Sequence, residues 1–204
     1  MQTWLLFGAG GQGVGACVLE LAQQEARPVV ALVRNTEAVQ RLSARGVKVI
    51  QGDACDPAAV ERVCQLAGSA AAIISTLGGT DDYLAHRTVI DSAVNHAISR
   101  MVMVTSLGCG DSWPTLSPRA KAAFGAAVRE KSLAEVWLQT SPLDYAILRP
   151  GGLLNGESSG NARCYQQQEV HGMVNRQDVA LTIQALLEQP RLNNQVYSLV
   201  DPTL

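Results

Sequence analysis

Aromatic side chains are scarce, 4% of 204 residues, and only three histidines are present. The five cysteines, Cys17, Cys55, Cys64, Cys109 and Cys164, form neither a CxxC pair nor a cluster with histidine. Their odd number and scattered spacing argue against a disulfide framework and against a structural zinc site, so no metal is expected. No stretch of about 18 apolar residues occurs, which argues against a membrane span. No basic run stands out and the net charge is -2, so a nucleic-acid surface is not expected. The first residues carry no basic segment ahead of their short apolar run, so no secretory signal is expected and a reducing, cytoplasmic setting fits best. A Walker lysine motif and a nucleophile elbow are both missing, which leaves kinase and hydrolase readings without support.

What is present is a hydrophobic fraction of 47% with only 17% charged residues, enough for a sizeable core in one domain. Glycine is concentrated at one place. In LLFGAGGQGVGACVLELA, Gly8, Gly10, Gly11, Gly13 and Gly15 fall between an apolar run and a helical one. Short apolar runs then alternate with helical patterns. Strands are expected at 3–8, 29–33, 47–51, 70–75, 101–105 and 143–148. Helices are expected at 11–24, 36–45, 57–67, 82–97 and 118–140. Asp56-Pro57 is a helix start, with Asp as cap and Pro in the first turn. The strands lack an in-out alternation, as strands covered on both faces do. The pattern predicts an α/β fold, a Rossmann doubly wound parallel sheet with helices on both faces, as a single domain over 1–204. The polar segment NGESSGNARCYQQQ reads as a loop, and about 151–175 as a small lid. A helix at 176–188 and a strand near 196–200 follow it.

A glycine-rich turn from a first strand into a helix is a phosphate cradle. The backbone can approach a pyrophosphate closely, and the helix start supplies free N–H groups and a favourable dipole. Gly8, Gly10 and Gly13 satisfy GxGxxG in that context, so the turn through Gly11, Gln12 and Val14 is read as cofactor-binding. An NAD-specific domain places an acid at the tip of the second strand. Here the tip reads ALVRNTE, with Arg34 instead. A guanidinium suits a 2′-phosphate, which favours NADP(H) over the alternative of a solvated Arg34 paired with Glu37 on the following helix. Asn35 and Thr36 offer either further hydrogen bonds or a helix cap.

FGAGGQG, VRNTEAVQRLSARGVKVIQGDACDPAAV, AAIISTLGG, VMVTSLG, REKSLAEVWLQTSPLDYAILRPGGL and VNRQDVA together cover nearly the whole chain. They resemble the atypical short-chain dehydrogenase/reductases, in the NAD(P)H-binding, NmrA-like branch that includes biliverdin-IX-beta and flavin reductases. The resemblance implies that Asp53 lies beside an adenine. It also implies that Thr76, Leu77 and Gly78 follow the middle of the cofactor, and that Pro150 and Gly151 lie near a nicotinamide. The branch commonly reads GATGxxG at its turn. Here Gly10 replaces the Thr and Val14 stands at the last glycine, with Gly13 or Gly15 in compensation.

The same resemblance implies a Ser, Tyr and Lys set. Ser106, next to Thr105, matches the Ser and Lys131 matches the Lys, but the Tyr position holds Ala127. Ser106 and Lys131 are therefore the catalytic candidates, without a protein acid. Trp113 is either a wall for a flat acceptor or a loop staple. His171 either reaches the substrate from the lid or sits at the surface, and Tyr165 is a remote substitute acid. Arg149 reads as a structural partner, and His86 and His96 as surface or packing residues. Nothing marks Cys109 as a nucleophile.

Two functions remain open. One is an NADP(H)-dependent oxidoreductase reducing a small conjugated acceptor such as a flavin or quinone, where cofactor and acceptor carry the chemistry. The other is a non-catalytic NADP(H)-binding redox sensor of the NmrA-like type. An epimerase or dehydratase is weakened by the missing Tyr. The expected partner is a small molecule, and the chain is expected as a monomer or a homodimer.

Overall fold

The computed structural model describes residues 1–204. In chain order it runs β1 (Trp4–Phe7), α1 (Val14–Gln24), β2 (Val29–Val33), α2 (Thr36–Ala44), β3 (Lys48–Gln51), α3 (Pro57–Ala67), β4 (Ala72–Ser75), α4 (Asp82–Asn95) and β5 (Arg100–Val104). A short 3-10 turn, Gly110–Thr115, leads into α5 (Pro118–Gln139). Then come β6 (Asp144–Pro150), β7 (Gly152–Leu154), β8 (Arg163–Tyr165), β9 (Met173–Asn175), α6 (Arg176–Glu188) and β10 (Gln195–Val200).

The main sheet has the order β3-β2-β1-β4-β5-β6-β10-β8. Its first six strands follow the doubly wound Rossmann order, in which ligands bind where the strand order reverses, between β1 and β4. β1 to β6 and β10 are parallel. The expectation of a wholly parallel sheet is corrected at one edge, because β8 pairs antiparallel with β10, Ser198 opposite Tyr165. β8 lies inside the segment read as a loop. It has three residues, and Arg163 and Cys164 are exposed, so it carries no hydrophobic alternation to betray it. A short, charged edge strand of this kind also blunts pairing with other chains. β7 and β9 form a second small parallel pair.

The sheet separates two apolar layers, as its unalternated strands require. Trp4, Leu6, Ala31, Ile74 and Leu148 face α1, α2 and α6, with Val18, Leu42 and Ile183 among their partners. Leu5, Phe7, Ile73, Met101 and Ile147 face α3, α4 and α5, with Val63, Ile90 and Leu138. No helix is long and apolar enough to cross a membrane.

Candidate functional site

Above the carboxyl ends of β1, β2 and β4 opens a cleft of about 620 Å³. Gly8, Gly10, Gly11, Arg34, Asp53, Thr76, Leu77 and Gly78 line it together, so most of the expected cofactor positions share one space. The cleft continues along the β4–α4 connection to Asp81, Asp82 and Leu84.

The start of α1 is built as an anion cradle. α2, α3 and α5 are each capped by a side chain, from Asn35, Asp56 and Ser117. Like α4 and α6, α1 has no side-chain cap, and its cap residue is Gly13. Its free N–H groups and the positive end of its dipole therefore remain available. A methyl group built on Gly11 or Gly13 would meet nothing within 4 Å, so there is room for a ligand against this backbone. The tight packing belongs to two other glycines. Gly8 has φ +98°, and its added methyl would collide with Thr76. A methyl on Gly15 would lie 2.6 Å from the Gly8 carbonyl oxygen. Gly15 thus performs the helix-to-strand contact that GxGxxG assigns to its last glycine, and Gly13 does not. These features fit a dinucleotide pyrophosphate.

Sequence reasoning passed over Arg41. Its guanidinium donates to the Gly10 carbonyl oxygen at 2.7 Å from α2. Carbonyl and N–H of a trans peptide point in opposite directions, so this bond turns the Gly11 N–H away from Arg41. Arg34 is exposed and only loosely paired, 3.9 Å from Asp53. Arg34 thus lines the end of the cleft where an acid would stand in an NAD-specific site, and Arg41 holds the neighbouring Gly10 carbonyl.

Lys131 enters the site from α5 through a buried network. Its ammonium donates to the Leu77 carbonyl at 2.8 Å and to Asp82 Oδ2 at 2.7 Å. The Asp82 carboxylate is buried and faces His86, whose Nδ1 lies 2.8 Å from Asp82 Oδ1 and 2.9 Å from the Asp82 carbonyl oxygen. Both neighbours accept, so in the neutral ring Nδ1 carries the proton and Nε2 accepts from the Ser75 hydroxyl at 2.8 Å. Burial pushes the Asp82 carboxyl up, but His86 and Lys131 more than offset this and hold it below its ordinary value. His86 is completely buried, so it is a packing residue of a polar kind. The i, i+4 spacing of Asp82 and His86 in DYLAH was the available signal.

The other candidates are placed as follows. The Ser106 hydroxyl donates to the Leu107 carbonyl at 3.0 Å, within its own turn. Thr105 Oγ1 donates to Glu135 at 2.6 Å, and buried Glu135 pairs with Arg149 at 2.7 Å. Arg149 also reaches Asp111 at 2.5 Å, tying the 3-10 turn to β6. Burial alone would lower the Arg149 proton affinity, and these two carboxylates raise it well above its ordinary value. Pro150 accepts the Leu107 N–H, and Gly151 is pressed against the Gly172 carbonyl, where a side chain could not fit. Trp113 lies over Gly125 of α5 with the Lys121 ammonium 5.2 Å from its ring centre. His171 is exposed and bonded to Glu169 at 2.8 Å. Ala127 is exposed, and the nearest tyrosine in sequence to the Lys131 partner Asp82 is Tyr83, whose N–H donates to Glu130 at 3.1 Å. Burial and Glu135 push the Cys109 thiol up to about 11, and burial and Asp53 do the same for Cys55. Neither thiol is activated.

Residues 8–190 match the family model described as NAD(P)H-binding. The chain belongs to this NAD(P)H-binding family. That agrees with the resemblance read from the motifs and with the cradle at Gly8 to Gly15. Among relatives in the family, the anaerobilin reductase ChuY from Escherichia coli O157:H7 is 64% identical, with a TM-score of 0.98 over 100% of this chain and 98% of that one. ChuY from E. coli CFT073 is 61% identical, with a TM-score of 0.94 over 100% and 99% of the two chains. YhfK of Bacillus subtilis, named an uncharacterized sugar epimerase, is 28% identical over 96% of this chain and 92% of its own length.

Proposed function

We propose that this chain is an NADPH-dependent reductase of a flat, conjugated acceptor of the linear tetrapyrrole class. The observation that carries the reading is the full-length likeness, 64% identical, to an anaerobilin reductase. The geometry is compatible with it. Bound NADPH would supply a hydride to a conjugated acceptor that can take its proton from water, so the chemistry needs no tyrosine acid. Ala127 provides none, and the Ser106 hydroxyl is occupied within its own turn. What the chain supplies is placement. The uncapped start of α1 takes the pyrophosphate, Arg34 with Arg41 takes the 2′-phosphate, and Asp53 borders the adenine end. Lys131, held by Asp82, keeps a charge at the inner end of the cleft.

The test is a titration with NADPH and with NADH, followed by addition of a linear tetrapyrrole, FMN or a simple quinone under anaerobic conditions. Preferential NADPH binding and tetrapyrrole-dependent loss of nicotinamide absorbance are expected. Oxidation by FMN or quinone alone would move the acceptor class to the flavin or quinone type. Tight binding without oxidation by any acceptor would overturn the reductase in favour of the sensor.

A further inference from the structure

We infer that one face of α5, formed by Ala120, Phe124 and Ala127, is the apolar wall against which the acceptor lies. The inference rests on the reductase reading above. Residues 120, 124, 127, 131, 134 and 138 recur at helical steps of three and four and share one face. In the second half of the helix that face is core: Ala134 and Leu138 are fully buried against the sheet. In the first half the same face is open. Ala127 is exposed, and Phe124 is 47% exposed although it is one of only two phenylalanines in the chain.

The reason lies in lengths. α5 has 22 residues and extends ~33 Å, whereas β5 has five and extends ~17 Å. The helix follows a strand that ends at the carboxyl edge of the sheet, so its beginning overhangs that edge. There the core-facing stripe runs on past the strands that would cover it, next to the cleft that Lys131 reaches through Leu77. A tyrosine at 127 would occupy this stripe; alanine leaves it clear.

Two observations select the occupant. The stripe is continuous with the cofactor cleft, because Lys131 is its next member and bonds Leu77, which lines that cleft. Between 118 and 131 the helix also carries Arg119, Lys121 and Arg129 against one carboxylate, Glu130, besides the Lys131 that Asp82 already pairs. An apolar strip with surplus positive charge suits a flat conjugated molecule bearing carboxylates, which stacks on Phe124 and finds cations around it.

The experiment measures binding of biliverdin, as a carboxylate-bearing linear tetrapyrrole, by its absorbance shift on protein loaded with NADP+, so that no turnover intervenes. Phe124→Ala should raise the dissociation constant about tenfold, or ~1.4 kcal/mol, and Ala127→Glu more. Both positions are exposed, so folding should be unaffected, and NADP+ affinity should not change. Val136→Ala, exposed on another face of α5, should bind as the parent does. If the parent binds biliverdin and both stripe variants bind equally well, the wall is overturned and the reductase reading stands. If the parent binds no tetrapyrrole, both fall. If Phe124→Ala instead turns a dimer into a monomer in sedimentation with biliverdin affinity unchanged, the stripe is a contact between copies and the inference is overturned.

Discussion

At the scale of single residues, charge placement decides what the cleft accepts. Arg34 is exposed and its partner Asp53 is 3.9 Å away, so little holds it from a phosphate. Arg34→Ala should weaken NADPH binding by roughly tenfold to a hundredfold and leave NADH within about twofold. Calorimetry with both nucleotides checks this, and an equal loss for the two would remove the 2′-phosphate role. Asp82 is different, because its carboxylate is buried between a cation and an imidazole. Asp82→Ala leaves the Lys131 charge without its partner and should cost about 3–5 kcal/mol in urea unfolding. The lowered Asp82 proton affinity also gives a pH sign. A carboxyl depressed on folding contributes stability above its unfolded value, and that contribution is lost as pH falls through its folded value. Acid unfolding midpoints should therefore show a steep loss below the usual carboxylate range, and Asp82→Asn should flatten it.

At the scale of elements, the start of α1 is the cradle proposed for the cofactor, and its glycines are not equivalent. Gly15→Ala drives a methyl to 2.6 Å from the Gly8 carbonyl oxygen and should cost about 1–3 kcal/mol while abolishing nucleotide binding. Gly13→Ala meets open space at φ -87° and should melt as the parent does without nucleotide. Thermal melts of the two variants, with and without NADPH, separate packing from ligand contact. GxGxxG located this turn, but the pattern could not say which glycine packs. That depends on how close α1 passes to the β1 turn, a distance between two elements. The helix caps, by contrast, are local signals: Asp56 and Asn35 each accept from the N–H of a residue two or three positions on.

At the scale of the whole molecule, the region after β6 is tied down by polar contacts. Asp178, in the first turn of α6, accepts from the Ser158 hydroxyl and from the Ser159 and Gly160 N–H groups. Ser159 also bonds Asp201 beyond β10. Burial raises the Asp178 carboxyl, and these donors more than offset it, so it stays ionised and holds the segment at neutral pH. Asp178→Ala leaves those donors unpaired and should speed protease cleavage between about 155 and 172, with a stability loss of about 1–3 kcal/mol. Unchanged cleavage would show that β8 pairing alone secures this segment. Asp178 stands in VNRQDVA, one of the segments that carried the family resemblance, but nothing there announced its contacts.

By itself the sequence determined the alternation of strands and helices, hence the doubly wound sheet, and the cradle between β1 and α1. Hydrophobic runs, caps and turn glycines are short-range signals, and they are written residue by residue. It also determined the tip of β2, where Arg34 stands in place of an acid. Tertiary structure alone decided the pairing of β8 with β10, the meeting of Lys131 with Asp82 and of Glu135 with Arg149, and the opening of the α5 stripe above the sheet edge. The paired residues are 49 and 14 positions apart in the chain. Their encounter depends on how helices lie across the sheet and where strands stop, which no local pattern encodes.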